Sequence, residues 1–186
     1  MDALELMLTR ESALKLEAPG PSADDLNRMF AAAVRTPDHG RLRPWHFVVI
    51  DSGHREAFGA LMAESLRRRD PEATEGALQK ERAKAFRSPV IVAVAAKVRR
   101  GHKIPEIEQL ASAAAAAQTI MLAAPALGFG AVWKTGAPAY DPAVKTALGL
   151  DATDEIVGFL YIGTRTGGSA PFPRPEARDF VTNWAG

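Results

Sequence analysis

Apolar and polar positions follow two different periods along this chain, and together they predict an α+β fold. An unbroken, largely β-branched apolar run at residues 89–96 is typical of a central strand buried on both faces. The pattern predicts further strands at residues 46–50, 131–134 and 155–164. It predicts helices at residues 1–8, 22–33, 54–69, 104–124 and 142–148, and a partly helical polar segment at 71–86. No repeat or linker interrupts these elements, so residues 1–186 are predicted to form a single domain.

The longest charge-free stretch lies between Glu108 and Lys134. Its length would suffice to cross a bilayer. Alanine dominates it, however, and Pro125 and Gly128 break its second half, so a buried helix followed by a strand is the better interpretation. We therefore expect no membrane partner, and we expect this helix at the centre of the fold or at a subunit interface.

Composition narrows the possible chemistry. The chain has 186 residues, a formal net charge of +1 and no cysteine, which excludes a disulfide scaffold and a cysteine nucleophile. The first ten residues lack the pattern of an export signal, so a cytoplasmic location is expected. Basic runs at residues 67–69 and 97–103 have no interleaved aromatic residues, which favours solvated helix ends and loops over nucleic-acid binding.

Two common kinds of site are disfavoured by spacing. The four histidines do not form a metal-ligand pair on any predicted helix, so no metal site is expected. Gly128 and Gly130 begin like a dinucleotide-binding loop, but Trp133 holds the place of the third glycine. This loop also follows a helix and opens a strand, the reverse of the required order.

The most informative loop is residues 35–45, where three arginines and a histidine lie between a helix and a strand. Planar guanidinium donors concentrated in a loop stiffened by two prolines suit a phosphate or an anionic ring. Arg10 and Ser12 are distant in sequence and could complete such a site.

Four ordered segments resemble the flavin-dependent nitroreductase family, and most closely its YdjA-like branch, over essentially the whole chain. They are residues 2–6 (DALEL) leading to 9–13 (TRESA), 35–39 (RTPDH) with 44–47 (PWHF), 128–136 (GFGAVWKTG) and 156–164 (IVGFLYIGT). Arg41 and Arg43 depart from the asparagine and glutamine that many members carry before the Pro-Trp pair. The resemblance implies a nitroreductase-like sandwich with a mixed, largely antiparallel sheet between helices. It also implies a homodimer with two FMN sites at the subunit interface, and the apolar tail at residues 180–184 fits a crossing to the partner.

By the same resemblance, particular residues are expected to bind cofactors. One chain would contact FMN through Arg10, Ser12, Trp133, Lys134 and Thr135, and the partner chain would reach the same FMN through Arg35 and His39. The segment that matches the nicotinamide nucleotide site comprises Ala123, Ala124, Pro125, Ala126, Leu127 and Gly128. Glu11 stands where an arginine is common in the family. If the side chain at this position normally neutralises the phosphate, FMN affinity should be lower here. If only the backbone at this position contacts the flavin, the affinity should not change. Lys134 stands where arginine is common and keeps the charge without the bidentate fork.

The resemblance implies an FMN-dependent oxidoreductase that uses NADH or NADPH. It would reduce a small-molecule electron acceptor, such as a nitroaromatic or a quinone, by ping-pong hydride transfer. FMN carries the redox chemistry, which is compatible with the lack of cysteine and of an obvious acid–base pair, so no catalytic side chain is assigned. The alternative is a non-catalytic flavin-binding or flavin-storage module. The polar segment 71–86 is expected to shape the acceptor pocket.

Overall fold

A computed structural model of the protein describes residues 2–168 and 173–186. Its helices are α1 (Ala3–Thr9), α2 (Ala23–Ala33), α3 (Arg55–Arg69), α4 (Glu75–Ala83), α5 (Glu106–Ala126) and α6 (Pro142–Ala147). Its strands are β1 (Leu16–Glu17), β2 (Trp45–Ile50), β3 (Val90–Ala96), β4 (Gly130–Lys134) and β5 (Glu155–Arg165). Every predicted helix and strand is present, with ends that differ by at most two residues, and among the strands of the described residues only the short β1 is an addition.

The strands form one five-stranded sheet in which β5 has a central role. β5 pairs with β1, β3 and β4, and β3 pairs in turn with β2. Every pairing among the described residues is antiparallel. All seven residues of β3 are buried, as its continuous apolar pattern predicts. The predicted largely antiparallel sheet is thereby confirmed.

Helices cover both faces of this sheet and create two apolar cores. On one face α3 packs on β5, where the rings of Phe58 and Phe159 have centroids 5.6 Å apart. On the other face α5 lies against the sheet through Ala117 and Ile120, which pack with Leu160 of β5. α2 packs alongside α5. The helix–sheet–helix arrangement confirms the predicted α+β sandwich.

The charge-free stretch forms all of α5 after its first three residues, the turn that follows, and β4 up to Trp133. Eight residues of α5 are buried, so its alanine-rich surface serves close packing, as predicted. Pro125 lies inside the helix, which ends one residue later at Ala126. Within residues 2–168 and 173–186, we find no helix that is both long and apolar enough to span a membrane.

Local sequence signals account for several helix starts. The Ser22 hydroxyl accepts the Asp25 N–H while the Asp25 carboxylate accepts the Ser22 N–H, forming the capping box that this spacing predicts. The polar segment 71–86 contains α4, which begins where the Thr74 hydroxyl accepts the Ala77 N–H. Leu78 is buried, so this segment is attached to the domain by its apolar side.

Asp141 caps α6 and connects it to α3. Its carboxylate accepts hydrogen bonds from the Ala143 N–H and from the Arg68 guanidinium, both at 2.8 Å. Burial alone would raise the pKa of Asp141, but the nearby Ser65 hydroxyl and the hydrogen bonds from Arg68 and Ala143 outweigh it and hold this pKa below its ordinary value. The ionised carboxylate therefore stabilises the fold above about pH 4, the ordinary range of an unfolded aspartate, and this stabilisation is lost as the pH falls.

We predict that Asp141→Asn lowers the free energy of unfolding by about 1 kcal/mol at pH 7, because asparagine keeps the helix cap but loses the charge opposite Arg68. The difference from the unaltered protein should shrink as the pH falls below about 4. Urea unfolding at pH 7 and pH 3 measures both values, with the exposed Asp151→Asn as the control. A difference that stays the same at the two pH values would contradict the assignment.

Several large apolar side chains have no cover within the described chain. None of the seven residues of α1 is buried, and Leu4, Met7 and Leu8 are exposed. In the C-terminal tail, Phe180 is exposed and Trp184 is 91% exposed. Contiguous exposed apolar surface commonly marks a protein interface. That the tail crosses to a partner stays a prediction.

Candidate functional site

Three adjoining cavities surround the segment after α1 and the end of β4. The largest, called the main groove, has a volume of about 560 Å³ and is lined by residues 12–17, Phe86, Arg87, Val132 and Lys134. This volume lies in the range of small-molecule and cofactor sites. The main groove lies beside a strand end and a loop, so both backbone atoms and charged side chains can contact a ligand in it.

The arginine cavity, of about 240 Å³, adjoins one part of the main groove and shares Ala13 with it. Its lining includes Arg10, Glu11, Pro125 and Arg165. The Arg165 guanidinium forms an ion pair with the Glu11 carboxylate. Two guanidinium groups thus line one small cavity together with a single carboxylate.

The side cavity, also of about 240 Å³, adjoins another part of the main groove. Arg87 and Lys134 line both cavities and therefore stand at their boundary. Thr135 and Tyr161 are also part of its wall. Burial raises the pKa of the Tyr161 hydroxyl to about 12, against the opposing effect of the Arg87 guanidinium, so this group stays protonated at neutral pH.

Close packing against β4 positions the segment that follows α1. The Ala13 N–H donates to the Ala131 carbonyl at 2.9 Å. Gly130 permits this approach, because a Cβ there would lie 2.8 Å from Leu16 Cδ2. The two predicted donors in this segment therefore stand beside β4. The structure brings five predicted site residues to the three cavities, namely Arg10, Ser12, Pro125, Lys134 and Thr135.

The Trp133 side chain lies on the opposite face of the sheet. Its neighbours Val132 and Lys134 line the main groove, whereas Trp133 packs with the α5 side of the core. The indole occupies the space above Gly158, where a Cβ would lie 2.1 Å from Trp133 Nε1. Any contact of Trp133 with a ligand in the groove would therefore involve its backbone.

The predicted nucleotide segment, residues 123–128, forms the last turn of α5 and the turn into β4. The Leu127 N–H donates to the Ala123 carbonyl at 3.0 Å, and Gly128 has a φ of +88°, which favours glycine. Ala124 is fully buried in the core. Of these six residues, only Pro125 lines one of the three cavities.

Arg35 and His39 lie at the opposite end of α5. The Pro37 carbonyl between them accepts the Ser112 hydroxyl at 2.8 Å. His39 Nδ1 lies 2.6 Å from Glu108 Oε2. Both contacts are made to the first half of α5, and neither Arg35 nor His39 lines any of the three cavities.

The length of α5 gives the separation of the two groups of predicted residues. Glu108 is the partner of His39, and Pro125 lines the cavity that contains Arg10. Along α5, Pro125 lies seventeen residues after Glu108. At 1.5 Å per residue this is about 25 Å. A single chain therefore cannot bring Arg10 and His39 to the same ring or phosphate.

The loop that carries His39 is held in an uncommon backbone conformation. Arg41 and Arg43 have φ values of 54° and 52°, a region that costs roughly 1 kcal/mol or more for a residue with a Cβ. The Asp38 carboxylate accepts the Leu42 N–H at 3.2 Å and the Arg43 N–H at 2.7 Å. These bonds fix the loop, and its arginines are exposed at a distance from the cavities.

Comparison with known proteins identifies the family. The sequence profile of the Nitroreductase family matches residues 8–164. The Escherichia coli (strain K12) protein named "Putative NAD(P)H nitroreductase YdjA" is 40% identical over 183 residues, which cover 98% of this chain and 99% of that protein. The chain belongs to the nitroreductase family.

Solved structures share the fold of this nitroreductase-family chain. A nitroreductase-like family protein from Bacillus cereus has a TM-score of 0.82 at 22% identity, over 100% of this chain and 97% of that one. A nitroreductase with bound FMN from Bacteroides fragilis NCTC 9343 has a TM-score of 0.74 at 18% identity, over 99% of both chains. The resemblance to the nitroreductase fold and to the YdjA-like branch is thereby confirmed.

Sequence reasoning missed two basic residues of the site in this nitroreductase-family chain. Arg165 lines the arginine cavity with Arg10, and Arg87 stands with Lys134 at the boundary of the main groove. Arg165 comes directly after a predicted strand, which alone gives no functional signal. Arg87 follows the polar segment 71–86, in which six other basic or acidic side chains are equally prominent, so pattern alone could not distinguish it.

Proposed function

We propose that this protein is an FMN-dependent oxidoreductase that uses NADH or NADPH to reduce nitroaromatic or quinone-like acceptors. The observation that carries the proposal is a pair of arginines, Arg10 and Arg165, in a cavity that opens beside a groove of cofactor size. Membership of the nitroreductase family, the name of YdjA and the FMN bound in the Bacteroides fragilis structure support it.

The residues present fit FMN by their chemistry. A flavin phosphate carries up to two negative charges, and two guanidinium groups with planar forks suit it. The main groove offers the flat isoalloxazine ring the backbone of residues 12–17 on one side and Val132 on another. Lys134 and Arg87 would add positive charge next to the ring.

Each part of the chain has a separate task in this proposal. Arg10 and Arg165 bind the phosphate, and Ser12 donates from the start of the groove. Lys134 and Arg87 place cations where negative charge develops on the ring during reduction, which stabilises that charge. Thr135 follows Lys134 directly and offers its backbone at the boundary of the groove. The packing of Trp133 over Gly158 keeps this strand end in place.

FMN, when bound, would accept a hydride from the nicotinamide and pass two electrons to the acceptor. For a quinone, one hydride from NAD(P)H and one proton from solvent give the hydroquinone and NAD(P)⁺. A single groove that receives the two substrates in turn predicts ping-pong kinetics. The turn at residues 123–128 is proposed to contact the nicotinamide nucleotide, with Pro125 nearest the cavities.

We propose that the active form is a homodimer in which Arg35 and His39 of each chain reach the FMN of the other. Three observations support a dimer. The spacing of about 25 Å along α5 separates His39 from the site in its own chain. The exposed apolar side chains of α1 and of the tail lack cover. On the outer surface of α5, Ile107 is 70% exposed.

The absorption spectrum of the purified protein tests the proposed function. We expect a yellow protein with about one FMN per chain, and we expect bleaching after addition of NADH or NADPH without oxygen. A colourless protein that takes up no added FMN would refute the proposal. Bound FMN that neither nicotinamide reduces, whatever the acceptor, would favour the flavin-storage alternative.

Glu11 allows a test of the phosphate position. Its carboxylate is paired with Arg165 in the arginine cavity and would repel an incoming phosphate. We predict that Glu11→Gln strengthens FMN binding by roughly 3- to 10-fold, measured by quenching of flavin fluorescence, because it removes this repulsion. Glu5→Gln on α1 is the control and should leave the affinity unchanged. Weaker binding by Glu11→Gln would mean that Glu11 serves to position Arg165.

A further inference from the structure

The three consecutive arginines at the end of α3 have different surroundings. Arg67 donates to Glu64 at 2.9 Å, and Arg68 donates to Asp141 at 2.8 Å. Arg69 lines the side cavity and has no carboxylate within salt-bridge distance among residues 2–168 and 173–186. The basic run is therefore only partly a solvated helix end, because its third member faces a cavity.

Basic side chains from separate parts of the fold line the side cavity. Arg69 comes from α3, Arg87 follows α4, and Lys134 ends β4. Lys84 is a fourth cation, but it forms an ion pair with Glu81, the one carboxylate among the described lining residues. Three cations thus remain without a carboxylate partner in the described chain, and such a cluster suits an anion.

The protonated hydroxyl of Tyr161 adds a neutral hydrogen-bond donor to this wall. Tyr161 lines the side cavity from β5 and is 2% exposed. A carboxylate or phosphate accepts hydrogen bonds only, so a lining rich in donors complements it.

We infer that the side cavity binds an anionic group, a phosphate or a carboxylate, carried by the substrate that meets the flavin in the main groove. This inference rests on the proposed function. The side cavity adjoins the groove at Arg87 and Lys134, whereas the arginine cavity adjoins it at Ala13. The flavin phosphate therefore has its own cations elsewhere. A volume of about 240 Å³ suits one group of a ligand rather than a second whole cofactor.

Two substrates could supply such a group. One is NADPH, through the 2′-phosphate that NADH lacks. The other is an aromatic electron acceptor that bears a carboxylate. Two pairs of ligands that do not react with the flavin distinguish these sources, because the members of each pair differ in the anionic group. NADP⁺ and NAD⁺ differ in the 2′-phosphate, and benzoate and benzamide differ in the carboxylate.

The test measures equilibrium binding of these four ligands to the FMN-loaded protein by isothermal titration calorimetry. We expect the anionic member of one pair to bind at least about 10-fold more tightly than its counterpart. Arg69→Gln should reduce that preference by about 5- to 10-fold, since it removes one charged hydrogen-bond donor. Arg67→Gln is the matched control, with the same charge change two residues away and outside the cavity, and it should preserve the preference.

Each outcome separates the two hypotheses. A preference within the NADP⁺ pair assigns the cavity to the nucleotide, and a preference within the benzoate pair assigns it to the acceptor. FMN-loaded protein that distinguishes neither pair overturns the inference and leaves the proposed function standing. Equal losses in Arg69→Gln and Arg67→Gln also overturn it, because they indicate net charge alone. A chain that takes up no FMN refutes the proposed function and this inference together.

Discussion

Arg10→Ala and Arg35→Ala should each weaken FMN binding by about 10- to 100-fold, although the two residues lie at opposite ends of α5. Loss of a charge-assisted hydrogen bond costs roughly 1.5–3 kcal/mol, which corresponds to this range. In the proposed dimer, Arg10 of one chain and Arg35 of the other act on the same FMN. Equilibrium titration with FMN measures both variants, and Arg28→Ala on α2, whose partner is Asp25, is the control.

Mixed dimers make the test specific for an interface site. When the Arg10→Ala and Arg35→Ala chains are combined under separate tags, each mixed dimer should regain one site of unaltered affinity and lose the other completely. One site then receives Arg10 from the Arg35→Ala chain and Arg35 from the Arg10→Ala chain, whereas the other site lacks both arginines. If both residues acted within one chain, mixing would restore nothing. Unchanged affinity in the Arg35→Ala homodimer would show that Arg35 does not contribute to the site.

Gly158→Ala should lower the free energy of unfolding by about 2–3 kcal/mol. The added Cβ would lie 2.1 Å from Trp133 Nε1 and 2.7 Å from Trp133 Cδ1, so the indole or the strand must move. Because Lys134 and Thr135 follow Trp133 directly, FMN affinity should fall as well. Urea unfolding and FMN titration measure the two effects.

A second substitution identifies the cause of this loss. Trp133→Leu in the Gly158→Ala background should recover part of the stability, so that the double variant loses less than the two single variants added together. Gly76→Ala on α4 is the control, since a Cβ there has no neighbour closer than 4.0 Å, and it should be neutral or slightly stabilising. Strict additivity of Gly158→Ala and Trp133→Leu would contradict the contact.

The sequence predicted the elements well because each has a strong local signal. β3 is apolar throughout, and α2 begins with a capping box, so both could be placed from residues close in sequence. The order of the strands could not be predicted. It depends on pairings such as Leu16 with Arg165, which join residues at opposite ends of the chain and leave no periodic pattern.

The candidate site was predictable only in part for the same reason. Arg10, Ser12 and Lys134 belong to segments that resemble the family, and the structure brings them to adjoining cavities. Arg165 directly follows the 156–164 segment, but the resemblance gives that segment no cofactor-binding role, so the approach of Arg165 to Arg10 follows only from the fold. Alternation along a strand could have indicated that Trp133 faces away from Lys134, since adjacent side chains of a strand point to opposite faces.

The pairing of β5 with three other strands has a consequence for folding during synthesis on the ribosome. β1, β3 and β4 all need β5 as a partner, yet β5 begins only at Glu155. At roughly 5–20 residues per second, a nascent chain presents β3 and the apolar surface of α5 for several seconds before this strand is made. The sheet can close only after β5 has been synthesised, so folding of this domain is expected to be slow and sensitive to chaperones that shield nascent apolar segments.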